Sequence, residues 1–227
     1  MADQVVAPAA RVAMVAGATG LVGREVLAAL LTDKRYRAVH SVGRRAAPVQ
    51  HRKLTHHVVD FGSLATLDGI DHLDDVFIAL GTTIKVAGSQ AAFRAVDFDA
   101  VLAVARCAKQ AGATRLGVVS AMGANPHSPV FYNRVKGDME AAVAKLGYQT
   151  LVLARPSMLD GSREALAQTA RPAEKWGLAA MALLKPLIPA NYQAISASQV
   201  ARALLSALND AGAGTHVLLS GQLQSMP

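Results

Sequence analysis

Strand-like and helix-like segments alternate along most of the 227-residue chain, and this alternation constrains the fold more than any other feature of the sequence. The strand-like segments are rich in Val, Ile and Leu without polar alternation, which is typical of strands covered on both faces. They lie at 11–16, 38–42, 56–60, 76–80, 115–120, 150–154 and 216–219. Apolar residues at helical spacing mark segments at 21–31, 92–111, 132–146, 173–184 and 198–208. The pattern predicts an α/β fold with a doubly wound, mostly parallel sheet flanked by helices.

The length favours one domain, since domains usually hold roughly 100–200 residues. We therefore predict a single domain over 1–227. The alternation lapses between residues 156 and 192, where Pro172, Pro186 and Pro189 interrupt the chain. We interpret 156–192 as a small C-terminal insertion or lid on the substrate side of the sheet.

The sequence also carries indications of the compartment. No apolar run reaches the roughly 18 residues that a membrane span requires. The beginning of the chain carries Asp3 and lacks a basic region, so we expect no signal peptide. Cys107 is the single cysteine and cannot form an intramolecular disulfide. This cysteine usage fits a reducing compartment, and we expect a cytoplasmic location.

The net charge of +7 is concentrated in one window of the chain. Residues 34–53 hold seven basic side chains and no acidic one, while the rest of the chain is balanced. Such a window indicates either a solvated basic loop or a site for an anionic ligand. Tyr36 is its only aromatic residue, which disfavours a nucleic-acid surface with interleaved stacking side chains.

Three glycines lie directly between the first strand-like segment and the first helical one. Gly17, Gly20 and Gly23 form the pattern G-x-x-G-x-x-G. Glycines at this turn let backbone N–H groups approach a pyrophosphate at the helix N-terminus and let the helix pack closely on the sheet. Their position at the first strand-to-helix turn favours dinucleotide binding, although such turns also occur for purely steric reasons.

Two arginines follow the second strand-like segment. An NAD-specific site usually has an acidic residue about twenty positions after the glycines, where it binds the ribose 2′-hydroxyl. Here the sequence reads Gly43-Arg44-Arg45. A guanidinium suits a 2′-phosphate instead. We therefore predict NADP(H) as the cofactor in preference to NAD(H).

Tyr132 and Lys136 lie four residues apart at the beginning of a predicted helix, on the same helix face. A neighbouring ammonium favours the phenolate form of a tyrosine, which makes the phenol a better acid or base. Ser120 ends the fifth strand-like segment twelve residues earlier, so all three lie at the carboxyl edge of the predicted sheet. The Tyr132–Lys136 pair could pass a proton to or from a substrate oxygen during hydride transfer.

Taken together, these motifs resemble the short-chain dehydrogenase/reductase superfamily, in its extended or atypical branch, and within it the oxidoreductase-like Tat-interacting protein group. The resemblance covers nearly the whole chain and includes Leu80-Gly81-Thr82-Thr83 and Tyr132-Asn133-Arg134-Val135-Lys136. It implies a Rossmann-like fold, with Tyr132 as general acid/base, Lys136 on the nicotinamide ribose and Ser120 orienting the reacting oxygen. The predicted cofactor-binding residues are Gly17, Thr19, Gly20, Leu21, Val22, Gly23, Arg44, Arg45, Asp60, Leu80, Gly81, Thr82, Tyr132, Lys136, Arg155, Pro156 and Ser157.

We therefore expect an NADP(H)-dependent oxidoreductase that acts on a small-molecule carbonyl or hydroxyl substrate. One alternative is a redox-silent NADP(H)-binding regulator, because some relatives in the resembled group have little established turnover. Another is a nucleotide-sugar epimerase or dehydratase, which the short C-terminal region disfavours. A nucleic-acid-binding module that uses the basic window is a third. The sequence leaves a homodimer open. We predict no metal site, since the adjacent His56 and His57 point to opposite faces of a strand.

Overall fold

Seven parallel strands form one sheet in the computed structural model, which describes residues 10–160 and 189–226. The strand order is β3-β2-β1-β4-β5-β6-β7. Strands are therefore added on one side of β1 up to β3, and from β4 onwards they are added on its other side. The strands are β1 (Arg11–Ala16), β2 (Tyr36–Gly43), β3 (Leu54–Val58), β4 (Asp75–Ile78), β5 (Arg115–Val119), β6 (Thr150–Arg155) and β7 (Gly214–Leu219). This order confirms the predicted doubly wound α/β fold.

Helices cover both faces of this sheet. They are α1 (Leu21–Thr32), α2 (Ile84–Ala87), α3 (Gln90–Arg94), α4 (Val101–Gln110), α5 (Phe131–Ala144), α6 (Ala197–Asp210) and α7 (Ser220–Ser225). A π-helical segment, Ala95–Ala100, joins α3 to α4, and a short 3-10 turn covers Ala190–Tyr192. The helix that we predicted over 92–111 is therefore not regular α-helix throughout.

The core has two halves because successive residues of a strand point to opposite faces. Ala13 and Val15 of β1 pack towards α1 and α6. Val12, Met14 and Ala16 pack on the other side, towards α4 and α5. The apolar central strands are thus covered by helices on both faces, as their composition predicts.

The predicted insertion lies mostly outside the described residues. Residues 161–188 are not described, and this range includes the helix that we predicted over 173–184. Within 156–192, the described ends consist of residues 156–160 and 189–192. An isolated parallel bridge joins Leu159 to Ile195. The insertion or lid over 156–192 therefore stays a prediction.

Candidate functional site

The glycine turn after β1 requires glycine at two positions. Gly17 has a φ of +90°, and a Cβ on it would lie 2.6 Å from the Ala79 carbonyl oxygen. A Cβ on Gly23 would lie only 2.0 Å from the Gly17 carbonyl oxygen. Both contacts are with backbone, which cannot rotate away. The turn therefore holds α1 close to the ends of β1 and β4.

The N-terminus of α1 is suited to an anion. Gly20 precedes the helix and supplies no side-chain cap, and the first turn carries no acidic residue. The first N–H groups of a helix, here those of Leu21, Val22 and Gly23, have no carbonyl partner within the helix. Such groups and the helix dipole favour a phosphate at this position.

A cavity of about 750 Å³ lies along the carboxyl edge of the sheet next to this turn. It is continuous from the glycine turn to the loops that follow β2, β3 and β4 and to the beginning of α4. The predicted cofactor residues that line it are Gly17, Thr19, Gly20, Arg44, Arg45, Asp60, Leu80 and Gly81. The topology thus brings together residues from four separate loops.

Arg44 and Arg45 are exposed and line this cavity. Other basic residues of the same window are engaged elsewhere. The Arg35 guanidinium lies 2.7 Å from the Asp33 carboxylate, and the Lys53 ammonium donates to the Asp33 carbonyl oxygen at 2.9 Å. The two arginines are therefore available to an anionic group in the cavity.

Arg106 is a cavity residue that the sequence analysis missed. It is exposed on α4 and lines the same cavity as Asp60 and Asp99. Asp99, Leu102, Ala103 and Arg106 all line the cavity and follow helical spacing. That spacing was the available signal, since it places Arg106 on the same helix face as Asp99.

The Asp60 carboxylate accepts two hydrogen bonds from its own loop. Its Oδ1 accepts the Gly62 N–H at 3.1 Å, and its Oδ2 accepts the Ser63 hydroxyl at 3.1 Å. These bonds fix the loop after β3 at the wall of the cavity. Leu80 and Gly81, directly after β4, also line the cavity.

Lys136 forms a buried ion pair with Asp97. The Lys136 Nζ lies 2.7 Å from the Asp97 Oδ1, and the two side chains are only 4% and 1% exposed. Asp97 belongs to the π-helical segment and Lys136 to α5. Sequence spacing could not have identified this partner, because the two residues belong to separate elements.

Tyr132 lies near the beginning of α5 and is half-buried. Its ring packs against that of Phe93, with 5.3 Å between the ring centroids. Burial raises the pKa of Tyr132 above its usual value, against an opposing effect of the Lys136 ammonium, and the Asp97 carboxylate raises this pKa further. The spacing of Tyr132 and Lys136 predicts only the effect of the ammonium, which favours the phenolate.

Ser120 follows β5 and is 5% exposed. Among the described residues, its buried Oγ has no hydrogen-bond partner. A buried hydroxyl without a partner is uncommon in proteins and is suited to a ligand atom.

Gly81 connects the cavity to the Lys136–Asp97 ion pair. It lines the cavity, and a Cβ on it would lie 3.8 Å from the Lys136 Nζ and 3.4 Å from the Asp97 Oδ1. The ion pair therefore lies directly beneath one wall of the cavity. Thr82 is held at the same place, since its N–H donates to the Asp97 Oδ2 at 2.9 Å.

The remaining predicted cofactor residues do not line the cavity. The Arg155 guanidinium forms a bidentate ion pair with the Glu140 carboxylate: Nε donates to Oε1 at 3.0 Å, and Nη2 donates to Oε2. The Pro156 carbonyl oxygen accepts the Met122 N–H at 2.9 Å, which places this segment beside the loop after β5. The Ser157 hydroxyl lies 2.9 Å from that of Ser220.

The neighbouring histidines lie on different sides of β3. His57 Nε2 lies 2.9 Å from His40 Nδ1, whereas His56 Nδ1 lies 2.7 Å from the Ser41 hydroxyl. Within 10–160 and 189–226, no group of three His, Cys, Asp or Glu side chains could hold a metal ion. This part of the chain also has no helix with the length and hydropathy of a membrane span.

A family model described as NAD(P)H-binding matches residues 17–211. The chain belongs to this NAD(P)H-binding family. The match begins at Gly17, the first glycine of the turn, and extends through α6. The match supports an NAD(P)H-binding domain and does not distinguish NAD(H) from NADP(H).

Curated fungal proteins are relatives of this NAD(P)H-binding chain. "Protein FMP52, mitochondrial" from Coccidioides immitis is 33% identical over 206 residues, which cover 85% of this chain and 83% of the relative. "Protein fmp52, mitochondrial" from Aspergillus fumigatus is 36% identical over 172 residues, which cover 73% of this chain and 71% of the relative. Their names state no activity.

Solved structures confirm the fold of the NAD(P)H-binding domain. A short-chain dehydrogenase family protein from Francisella tularensis has a TM-score of 0.69 at 15% identity, and the match covers 94% of this chain and 99% of that one. MoeE5 in complex with UDP-glucose and NAD has a TM-score of 0.65 at 19% identity, covering 91% and 74%. The resemblance to the short-chain dehydrogenase/reductase superfamily is thus confirmed for the fold. The narrower resemblance to the Tat-interacting group stays a prediction.

The expected cytoplasmic location is wrong on this comparison, because the FMP52 relatives are named as mitochondrial proteins. The expectation relied on the single Cys107. A cysteine count separates reducing from oxidising compartments, but it carries no information about which reducing compartment holds the protein.

Proposed function

We propose that this chain is an NADP(H)-dependent oxidoreductase that interconverts a carbonyl group and the corresponding hydroxyl on a small molecule. The observation that carries the proposal is the position of Gly81. This residue lines the long cavity beside the glycine turn, and a Cβ on it would contact the buried Lys136–Asp97 pair. The cavity beside the glycine turn and the lysine of the predicted tyrosine–lysine pair are therefore adjacent at one edge of the sheet.

The cavity residues fit a dinucleotide phosphate. The positions of Gly17 and Gly23 admit no Cβ, so the turn brings backbone close to the end of α1. The free N–H groups at that end would hold the pyrophosphate. Arg44 and Arg45 are exposed at the cavity wall and would hold a 2′-phosphate, because a guanidinium donates two parallel hydrogen bonds to phosphate oxygens. This set of donors supports NADP(H) over NAD(H).

A bound nicotinamide supplies or accepts the hydride. In the reductive direction the carbonyl carbon gains that hydride, and the Tyr132 hydroxyl donates a proton to the carbonyl oxygen. A tyrosine with its ordinary pKa of about 10 is protonated at neutral pH. Burial raises the pKa of Tyr132 further, so the phenol carries the proton that this step requires. Ser120 would donate a hydrogen bond to the same oxygen, since its buried hydroxyl has no partner among the described side chains.

Replacement of Tyr132 by phenylalanine tests the proposal. Purified protein is mixed with NADPH and a panel of small aldehydes, ketones and quinones, and NADPH oxidation is followed. We expect oxidation by the unaltered protein, its loss in Tyr132→Phe, and nearly unchanged NADPH affinity in the variant.

Tyr148→Phe is the matched control. It also removes a tyrosine hydroxyl, one that donates to the Ala105 carbonyl oxygen at 2.7 Å in the core. We expect this variant to retain turnover. Full turnover in Tyr132→Phe would exclude the assigned proton donor. Tight NADPH binding without oxidation by any compound of the panel would instead favour a redox-silent NADP(H)-binding regulator.

A further inference from the structure

A second cavity, here called the side cavity, lies between α1 and the loop after β2. Its volume is about 710 Å³, within the roughly 300–1,000 Å³ that small-molecule sites occupy. Four residues at helical spacing on α1 line it: Arg24, Leu27, Ala28 and Leu31. Much of the remaining lining comes from residues 45–49 and from His51. The side cavity is therefore separate from the space that faces β4 and α4.

Hydrogen bonds hold the loop that borders the side cavity. His56 Nε2 donates to the Val49 carbonyl oxygen at 2.9 Å, and His56 Nδ1 lies 2.7 Å from the Ser41 hydroxyl. The Leu54 N–H donates to the His51 carbonyl oxygen at 2.9 Å. These bonds fix the loop relative to β2 and β3, and such preformed cavities are typical of small-molecule sites.

The lining of the side cavity is mainly apolar. The apolar residues that line it include Leu27, Ala28, Leu31, Ala47, Pro48 and Val49. The Val49 side chain is among the large apolar ones that remain exposed, at 41%. An alkyl chain in this cavity would remove apolar surface from water, which favours binding.

Three basic side chains, Arg24, Arg45 and His51, also line the side cavity, and none of the described residues around it is acidic. Arg24 contacts Glu25 at 3.4 Å in a solvent-exposed pair, which is a weak interaction. His51 Nδ1 accepts the Lys53 N–H at 3.2 Å, so its Nε2 can donate to another group. The side cavity thus combines an apolar lining with hydrogen-bond donors for an anion.

The arginines are close to one end of this apolar surface. Thr19 and Arg45 line both the side cavity and the cavity beside the glycine turn. Arg24 lies near the beginning of α1, and Leu31 follows seven residues later, about 10 Å along the helix. The apolar surface therefore extends from the arginines over a length that suits a medium-chain alkyl group.

We propose that the side cavity binds a medium-chain fatty acid, with its carboxylate on Arg24 and Arg45 and its alkyl chain along the apolar face of α1. Charge complementarity supports this ligand, because the described lining offers two guanidinium groups and no carboxylate.

The shared Arg45 has a consequence for the cofactor. The fatty acid carboxylate and the 2′-phosphate would compete for one guanidinium, and their negative charges repel each other. The fatty acid would therefore oppose NADPH binding and leave NADH binding nearly unchanged. This consequence rests on the proposed function, whereas the fatty acid site itself does not.

Calorimetric titration of the unaltered protein with decanoate, without nucleotide, tests the site. Acetate supplies the carboxylate alone, and decanol supplies the alkyl chain without a charge. We expect decanoate to bind at least about tenfold more tightly than either compound, because only decanoate gains both apolar burial and charge-assisted hydrogen bonds. Absence of decanoate binding, or equally tight binding of decanol, would overturn the inference.

Two variants locate the bound decanoate. Ala28→Phe places a ring in the side cavity, and Arg24→Ala removes one of the two guanidinium groups. We expect each variant to lose at least about tenfold in decanoate affinity. Ala141→Phe is the matched control, since Ala141 is exposed on α5 and lines neither cavity. Unchanged decanoate affinity in both Ala28→Phe and Arg24→Ala would overturn the inference.

NADPH and NADH titrations at saturating decanoate measure the competition. We expect decanoate to lower NADPH affinity about fivefold and to change NADH affinity little, and NADPH should weaken decanoate binding by the same factor. An equal effect on both nucleotides would overturn the competition at Arg45. Failure of the unaltered protein to bind NADPH would refute the proposed function separately, since the decanoate titration contains no nucleotide.

Discussion

Replacement of Gly23 by alanine tests the close packing of the glycine turn. The added Cβ would lie 2.0 Å from the Gly17 carbonyl oxygen, whereas ordinary contact begins at 3.4 Å. Because the obstruction is backbone, α1 or the turn has to move. Overpacking of this kind costs about 1–3 kcal/mol. Alanine recovers up to about 1 kcal/mol through its higher helix propensity. We expect a net loss of about 2 kcal/mol in the free energy of unfolding, since the overlap is severe.

Urea denaturation of Gly23→Ala, compared with Gly212→Ala, measures this loss. A Cβ on Gly212 would have no other described atom within 4 Å, so that variant is expected to keep nearly full stability. Displacement of the turn also moves the N–H groups that would hold the pyrophosphate. We expect NADPH affinity to fall at least about tenfold in Gly23→Ala, a change of about 1.4 kcal/mol. Equal stability and equal affinity in the two variants would refute the reasoning.

Two further predictions concern the sheet. Asp75 is buried at the beginning of β4, where Arg115 Nε donates to it at 2.6 Å and the Tyr36 hydroxyl at 2.6 Å. Asp75→Asn should lower the free energy of unfolding by about 3 kcal/mol in denaturant titrations, because the half-buried guanidinium groups of Arg115 and Arg11 lose their shared, fully buried countercharge, and a loss below about 1 kcal/mol would contradict this account. Burial lowers the pKa of both His40 and His57 below the ordinary 6.5. The folded protein therefore binds fewer protons than the unfolded chain, and stability present above about pH 6.5 should be lost on acidification. His57→Gln should reduce the loss measured between pH 7 and pH 5, and an equal loss in the variant would exclude this pair as its cause.

The sequence predicted the positions of β1, β4, β5 and β6 well because each of these strands is built around a short apolar run. The run over 11–16 agrees with β1, and the glycines directly after it predicted the turn into α1. These features are local, so composition and spacing were sufficient. The π-helical segment was not predictable in this way, since Ala95–Ala100 has the same apolar spacing as regular α-helix.

The partners of the candidate site depended on contacts between distant parts of the chain. Lys136 and Asp97 meet only after α5 packs against the π-helical segment. The position of Arg155 beside the cofactor stays a prediction, and its partner Glu140 on α5 was not visible from the spacing of the sequence. Burial has the largest effect on the pKa of Tyr132. The four-residue spacing between Tyr132 and Lys136 carries no information about burial.

Parallel fluorescence titrations with NADPH and NADH test the central claim most directly. They are made on the unaltered protein and on Arg44→Ala/Arg45→Ala, with Arg24→Ala as a control for loss of an exposed arginine that does not line the cavity. We expect NADPH to bind more tightly than NADH, and the double variant to lose at least about tenfold in NADPH affinity while NADH affinity changes little. The control should bind both nucleotides as the unaltered protein does. Absence of binding by either nucleotide would contradict the account and remove the basis for the assigned site residues.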